Sequence, residues 1–394
     1  MIVAHGVGGR DDLPLPLDLV LQGAAVALLV SFLVLGVAWK QPRFQPTTPA
    51  ATRDLPVLQG LTLAATMLLA GVAVLGPDER TNPVPYVVYV LFWVGMPLLS
   101  ALFGPVWRYA NPLRLLHRLL CQLPGLHSRQ RLRPLPEWLG YWPAAASLTA
   151  FTWLELAAPN GSSPRVLAVF FAAYTVIHLG AALVYGEGWF ERGDGFEVYS
   201  TLLGALSPFG RRNPFVGLAS VPIRPGLIAV IAVLLGSTAF DAFSGSTAWI
   251  RLTESLPVLT TVGLLGTISL VALTYLAATG PVGIAAEVAP TLLPIVVGYL
   301  VAHYYSMLVL EGQRAFLFLA GRSDVEPSTA LIGPTTVAAV QVIAVLVGHV
   351  LGVIAAHDRA LSLLPDERKL SGQAPLLLLM VAFTTGGLTL LFAT

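Results

Sequence analysis

The sequence predicts an all-α, polytopic transmembrane helical bundle of about ten spans, with both termini outside and interfacial helices on the cytoplasmic side. Composition is the first reason: 56% of the 394 residues are hydrophobic and only 11% are charged, against roughly 25% charged in soluble domains. The second is that the apolar residues fall into runs of about 20, the length that crosses a hydrocarbon core of ~30 Å. The third is charge asymmetry. With the N-terminus outside, 16 of the 22 basic residues fall in loops on one side, as the positive-inside rule requires of the cytoplasmic face.

Residues 1–17 form a polar external segment, and residues 18–394 a single transmembrane domain. Charge, proline or glycine bounds each span, placing them at 18–39, 57–76, 84–104, 139–158, 165–185, 225–244, 256–279, 289–311, 334–356 and 374–393. Two cytoplasmic stretches have a pattern of their own. WRYANPLRLLHRLL, after the third span, alternates Arg and His with Leu at helical spacing, as an interfacial helix facing anionic headgroups does. GEGWFERGDGFEVYSTLLGALSPFGRRNPF, after the fifth, reads as a second interfacial element packed under the bundle. Lipid anchoring without chemistry is the simpler role for both.

Several function classes fall away. The 22 basic residues are matched by 21 acidic ones with no long basic run, which gives no footprint for nucleic acid. A single cysteine, Cys121, excludes an intrachain disulfide and a thiolate cluster, so a metal site would draw on His, Met and carboxylate. No GxSxG, HExxH, P-loop or CxxCH motif occurs.

What remains is the small set of ionisable and polar residues at membrane depth, where each charge costs ~2.5–3.5 kcal/mol or more and marks a pathway or a site. VAHYYSMLVLEGQ is the richest stretch. Tyr299, His303, Met307 and Glu311 follow one another at four-residue spacing, one slowly drifting helical face. His303 with Met307 is an imidazole and a thioether one turn apart, a soft pair suited to Cu(I), with His349 on the next span as the expected third ligand. Packing, with His bonded to a carbonyl and Met as filler, is the alternative. His178, with Tyr174 one turn before it, is a further metal candidate or an interhelical hydrogen bond. Glu155 and Asp241, near the outer ends of their spans, read as proton carriers or ligands at an external mouth, or as acids snorkelling to water. Gln341 lies on the span that carries His349. Haem held by two of His178, His303 and His349 stays open, since axial ligands come from different helices. At the N-terminus, Val3-Ala4 before His5 has the small residues left by signal peptidases. A terminal His5 would offer amine and ring to Cu(II), with Asp11 and Asp12 nearby.

HGVGGRDDLPLP, together with RGDGFEVYSTLLGALSPFG, GSTAFDAF and GHVLGVIAAHDRAL, resembles a set of polytopic membrane proteins of actinobacteria and haloarchaea, some labelled fenitrothion hydrolase. The resemblance spans the whole chain. It implies a membrane location and a hydrolysis of apolar organophosphates, with zinc or manganese polarising the phosphoryl oxygen. Three functions are therefore expected: transition-metal handling with copper favoured, metal-dependent hydrolysis, or a non-catalytic transporter or assembly subunit. The partners expected are the lipid bilayer and a small ion or apolar substrate, in the cell membrane.

Overall fold

The computed structural model describes residues 16–48, 54–123, 133–209 and 213–393. His5, Asp11 and Asp12 lie outside the described residues. Among those residues the secondary structure is helical throughout, with no strand, and nine helices are long and apolar enough to cross a membrane. The chain is a multi-pass membrane protein.

In order, the elements are α1 (Leu17–Ala38), α2 (Pro56–Leu75), α3 (Val84–Tyr86), a π-helical stretch (Val87–Gly95), α4 (Met96–Phe103), α5 (Val106–Ala110) and α6 (Pro112–Leu120). Then come α7 (Trp142–Leu156), α8 (Pro164–Tyr185), α9 (Phe190–Gly193), α10 (Gly195–Gly204), α11 (Pro214–Ala219), α12 (Leu227–Ser244) and α13 (Thr247–Ser255). The last five are α14 (Val258–Thr279), α15 (Ala285–Val288), α16 (Leu293–Leu319), α17 (Pro334–Leu363) and α18 (Ala374–Ala393). α3, the π stretch and α4 make one continuous span, Val84–Phe103. Pro97 sits inside it and cannot donate to the carbonyl of Trp93, so the helix widens to π geometry just before it. The fourth expected span is the one that differs. α7 has only 15 residues, a rise of roughly 22 Å, and it is buried along much of its length instead of facing lipid.

Large apolar side chains on α1, α2, α8 and α14, such as Leu33, Leu68, Val176 and Leu273, are exposed, as lipid-facing surfaces must be. The core is α4, α7, α10, α12 and α16. α16 and α17 make the closest long crossing. A Cβ on Gly348 would lie 2.7 Å from the Pro294 carbonyl oxygen, and one on Gly298 2.6 Å from that of Ala344. Small residues here bring two backbones together where lipid supplies no hydrophobic drive.

The two segments expected to be interfacial pack against each other and bury part of their polar content. WRYANPLRLLHRLL breaks at Asn111-Pro112 into α5 and α6, and Arg114 and His117 point inward. α10 inserts among α4, α5 and α7, with every side chain from Gly193 to Ser200 buried. The physical reason is charge pairing. Arg108 and Arg114 of the first segment find Glu197 of the second.

The helix ends define two faces. The arginine-rich end gathers the segment after α1, α5, α6, α9, α11 and the loop after α17, where the Asp358 carboxylate accepts from Trp39 Nε1 (3.0 Å), Arg43 N (2.6 Å) and Phe44 N (3.1 Å). His357 beside it contacts Gln373 Oε1 and the Trp39 carbonyl. At the far end, Ser163 Oγ donates to Asp78 over the loop that joins α7 to α8. Gly348→Val is expected to force α16 and α17 apart at a cost of about 1–3 kcal/mol. A lowered melting temperature in detergent checks this, and an unchanged one contradicts the close crossing.

Candidate functional site

Two buried polar centres occupy the bundle, one toward each end. The first joins α12 to α16. Asp241 Oδ2 lies 2.9 Å from His303 Nε2 and accepts from the Tyr304 hydroxyl, also at 2.9 Å. All three side chains are buried. Glu155, at the last turn of α7, is half-buried, and α7 packs against α12, which carries Asp241. In the loop that follows α7, the Gly161 carbonyl accepts from the Tyr89 hydroxyl at 2.7 Å. α7, α12 and the part of α16 below Glu311 contain no Lys or Arg, so these acids share no helix with a permanent cation.

The stripe of α16 turns inward: His303, Met307 and Glu311 are buried and Tyr299 is nearly so. Its members nonetheless serve different partners. Tyr299 donates to the Phe383 carbonyl and packs edge-on against His349, ring centroids 5.5 Å apart. Glu311 pairs with Arg314 at 3.2 Å. His303 takes Asp241, not the expected His349. His349 is fully buried, and its Nδ1 lies 2.8 Å from the Val345 carbonyl. A carbonyl only accepts, so Nδ1 carries the proton and Nε2 keeps its lone pair, which has no partner among the described residues. Gln341 Oε1, two turns earlier, is likewise buried and unpartnered. His178 belongs elsewhere: Trp189 Nε1 donates to its Nδ1 at 3.0 Å, and Tyr174 stacks on it with centroids 4.0 Å apart. Among the described residues no group of three His, Cys, Asp or Glu side chains stands ready to hold a metal ion.

The second centre lies where α5, α6, α8 and α10 meet. Asp194 caps α10 through the backbone N–H groups of Phe196 (3.0 Å) and Glu197 (3.2 Å). It also accepts from the Tyr174 hydroxyl (2.6 Å) and Asn111 Nδ2 (2.8 Å). The same Asn111 amide donates to Glu197 Oε2 at 2.9 Å, so one side chain bridges two buried carboxylates. Glu197 receives both Nε (2.8 Å) and Nη2 (2.6 Å) of Arg114, a two-pronged pair with both groups buried. Arg108, 3.4 Å from Glu197, reaches outward to Glu191 at 2.9 Å. Read from the sequence, this segment is an interfacial element with lipid anchoring as its simpler role, and the buried pairing of Asp194 and Glu197 with Asn111 and Arg114 was not foreseen. The available signal was capping chemistry: Asn111-Pro112 opens α6, and Asp194-Gly-Phe-Glu197 has the spacing of a capping box.

At the rim of this centre Glu187 lies 3.7 Å from Arg118, 3.9 Å from Arg114 and 4.0 Å from His117 Nδ1. The His117 ring, helped by the two guanidinium groups, holds the Glu187 carboxyl below the usual carboxylate range although burial acts the other way. At the far end an open cleft of about 640 Å³ is lined by Asp78, Arg80, Tyr86 and Arg165. Comparison of the chain with protein-family models, curated proteins and solved structures finds no match.

A carboxylate whose pKa falls on folding contributes stability above its unfolded pKa and loses it as pH drops through the folded value. The melting temperature should therefore be higher for the native chain than for Glu187→Gln at neutral pH. The gap should close as the pH falls below the ordinary value of 4.5. A gap independent of pH contradicts the assignment.

Proposed function

We propose that the chain is a multi-pass transport protein of the cell membrane, in which reversible protonation of the Asp241–His303 centre drives the passage of a small ion or solute. The observation that carries this reading is the sharing of one buried Asp241 oxygen by His303 and Tyr304, with Asp241 on a helix packed against α7, whose last turn carries Glu155. A buried carboxylate hydrogen-bonded to both an imidazole and a phenol can take up and release a proton as a cation or a movement changes its surroundings. A tie between helices needs only one hydrogen bond. Proton relays within membranes are built from Asp, Glu and His in this way.

The far-end cleft supports an entry route, because Tyr86 lines it and Tyr89, one turn on, hydrogen-bonds the loop just past Glu155. The positive-inside rule supports an arginine-rich end in the cytoplasm and termini outside.

A second reading, transition-metal handling with copper favoured, rests on His349. An imidazole whose Nδ1–H is fixed by a carbonyl and whose Nε2 is bare has the orientation of a metal ligand. Met307, buried 2% exposed on the neighbouring helix, adds a soft donor type to the same interior.

Vesicles holding the purified protein, loaded with a pH dye and polarised with potassium and valinomycin, are expected to take up protons faster than protein-free vesicles. Asp241→Asn should slow that uptake by about 100-fold or to the protein-free rate. Uptake equal in the two proteins overturns the proton reading. Copper near one equivalent in the native protein, lost in His349→Ala, would establish the metal reading in its place.

A further inference from the structure

The start of α7, on the arginine-rich end, carries a group that neither buried centre uses. Arg192 of α9 places Nη2 3.3 Å from Glu137 Oε1, while its Nη1 is buried and has no acceptor among the described residues. A buried guanidinium N–H is costly to leave unmade, so such an atom marks a place where an oxygen belongs. Arg224, in the segment before α12, lies with its guanidinium carbon 5.5 Å from the centre of the Tyr141 ring and pairs with no carboxylate among the described residues.

The two arginines flank one tight turn. Glu137–Leu139 forms a single 3-10 turn, closed by Gly140 N donating to the Glu137 carbonyl at 3.2 Å, and α7 begins at Trp142. Gly140 has φ +43°, and Tyr141 N donates to the Pro225 carbonyl at 2.7 Å, which ties the segment bearing Arg224 to this turn. Glu137, the partner of Arg192, and Tyr141, on which Arg224 lies, therefore stand at the two ends of one fixed element. Two guanidinium groups face one carboxylate here, Glu137, which is itself exposed. Glu191, beside Arg192 in sequence, is turned to Arg108 at 2.9 Å, and Arg133, earlier in the same segment, adds to the positive balance.

The surroundings indicate which oxygen fits. Next to Glu137 and Tyr141 come Trp138 and Trp142, 71% and 53% exposed, so each arginine contact sits beside a bare indole. Tryptophan concentrates at the headgroup level of a bilayer, its apolar body against lipid and its N–H toward water. Lipid phosphates occupy that same level, and the planar fork of arginine matches their oxygens.

We propose that Arg192 and Arg224 hold the phosphate of an anionic phospholipid at the arginine-rich end, with Trp138 and Trp142 against its glycerol and upper acyl carbons. A zwitterionic lipid brings an ammonium group that the guanidiniums repel, whereas phosphatidylglycerol brings negative charge alone. The backbone hydrogen bonds of the turn are already made, so the lipid meets a formed site and orders little on binding. Once seated, it ties α9 and the segment before α12 to the start of α7. The site is independent of the proton reading of Asp241.

Native mass spectrometry of the full chain in detergent, titrated with phosphatidylglycerol or phosphatidylcholine of the same acyl chains, reads the binding of the first lipid. Phosphatidylglycerol is expected to bind about tenfold or more tighter, and Arg192→Gln and Arg224→Gln each to weaken it by about fivefold, the worth of one basic residue near an anionic headgroup. Arg368→Gln, which removes an exposed cation from the same end but outside the site, should change it by less than about twofold. Equal affinity for the two lipids overturns the proposal, as does a loss in Arg368→Gln as large as in Arg224→Gln, which would mean that the charge of the whole face is recognised. Binding of inorganic phosphate at these arginines without binding of the lipid would make the site one for a free anion and equally overturn it. Should one arginine variant not fold, the other decides.

Discussion

The Asp194 carboxylate is the interaction on which the rest of the structure depends. It accepts from two backbone N–H groups at the start of α10, from Tyr174 of α8 and from Asn111 at the start of α6. Hydrogen bonds to a charged acceptor are worth about 1.5–3 kcal/mol each, and those here join three elements at a single point. α10 is buried among helices, and the carboxylate supplies acceptors for the N–H groups of its first turn. With α10 seated, Glu197 faces Arg114, Ser200 meets Ser100, and Tyr199 lies against Trp93. The glycine at Gly195 makes the seating possible. A Cβ there would stand 2.5 Å from Ser147 Oγ and 2.9 Å from the Leu148 side chain.

Much of the outer architecture was legible because it obeys one strong rule. A helix in lipid must be apolar for about 20 residues, and nine of the ten expected spans are helices of that kind. α7 was misjudged in length because burial inside protein, unlike exposure to lipid, does not demand a full membrane thickness of apolar residues. The pairing between the two segments expected at the interface was hidden for a related reason. Arg next to Leu at helical spacing suits both a headgroup and a buried carboxylate, and only the partner, some 80 residues away in sequence, distinguishes them. Asp194 and Glu197 are that partner, and periodicity within either segment cannot reveal it.

The candidate site was legible residue by residue but not pair by pair. His303, Asp241, Glu155 and Tyr299 were all singled out by polarity at depth. The expected pairing of His303 with His349 followed from chain order, since consecutive helices tend to be neighbours. α16 and α17 are indeed neighbours, yet Tyr299 is the residue that faces His349, while the face bearing His303 meets α12. Tyr304, adjacent to the stripe and off its face, was overlooked because the four-residue spacing does not include it.

The centre at Asp241 differs chemically from the cluster at Asp194. The cluster at Asp194 pairs its carboxylates with arginine, a permanent cation, whereas the centre at Asp241 sets its carboxylate against a histidine, a side chain that can both bind and release a proton. A protein that only needed rigidity would gain nothing from that difference. A protein that loads and unloads a proton uses it. The measurement that tests this most directly is infrared difference spectroscopy of the protein between high and low pH, with Asp241→Asn as reference. The account predicts a protonated-carboxyl band in the native protein that grows as the pH is lowered and is absent in the variant. A spectrum identical in the two proteins would contradict it.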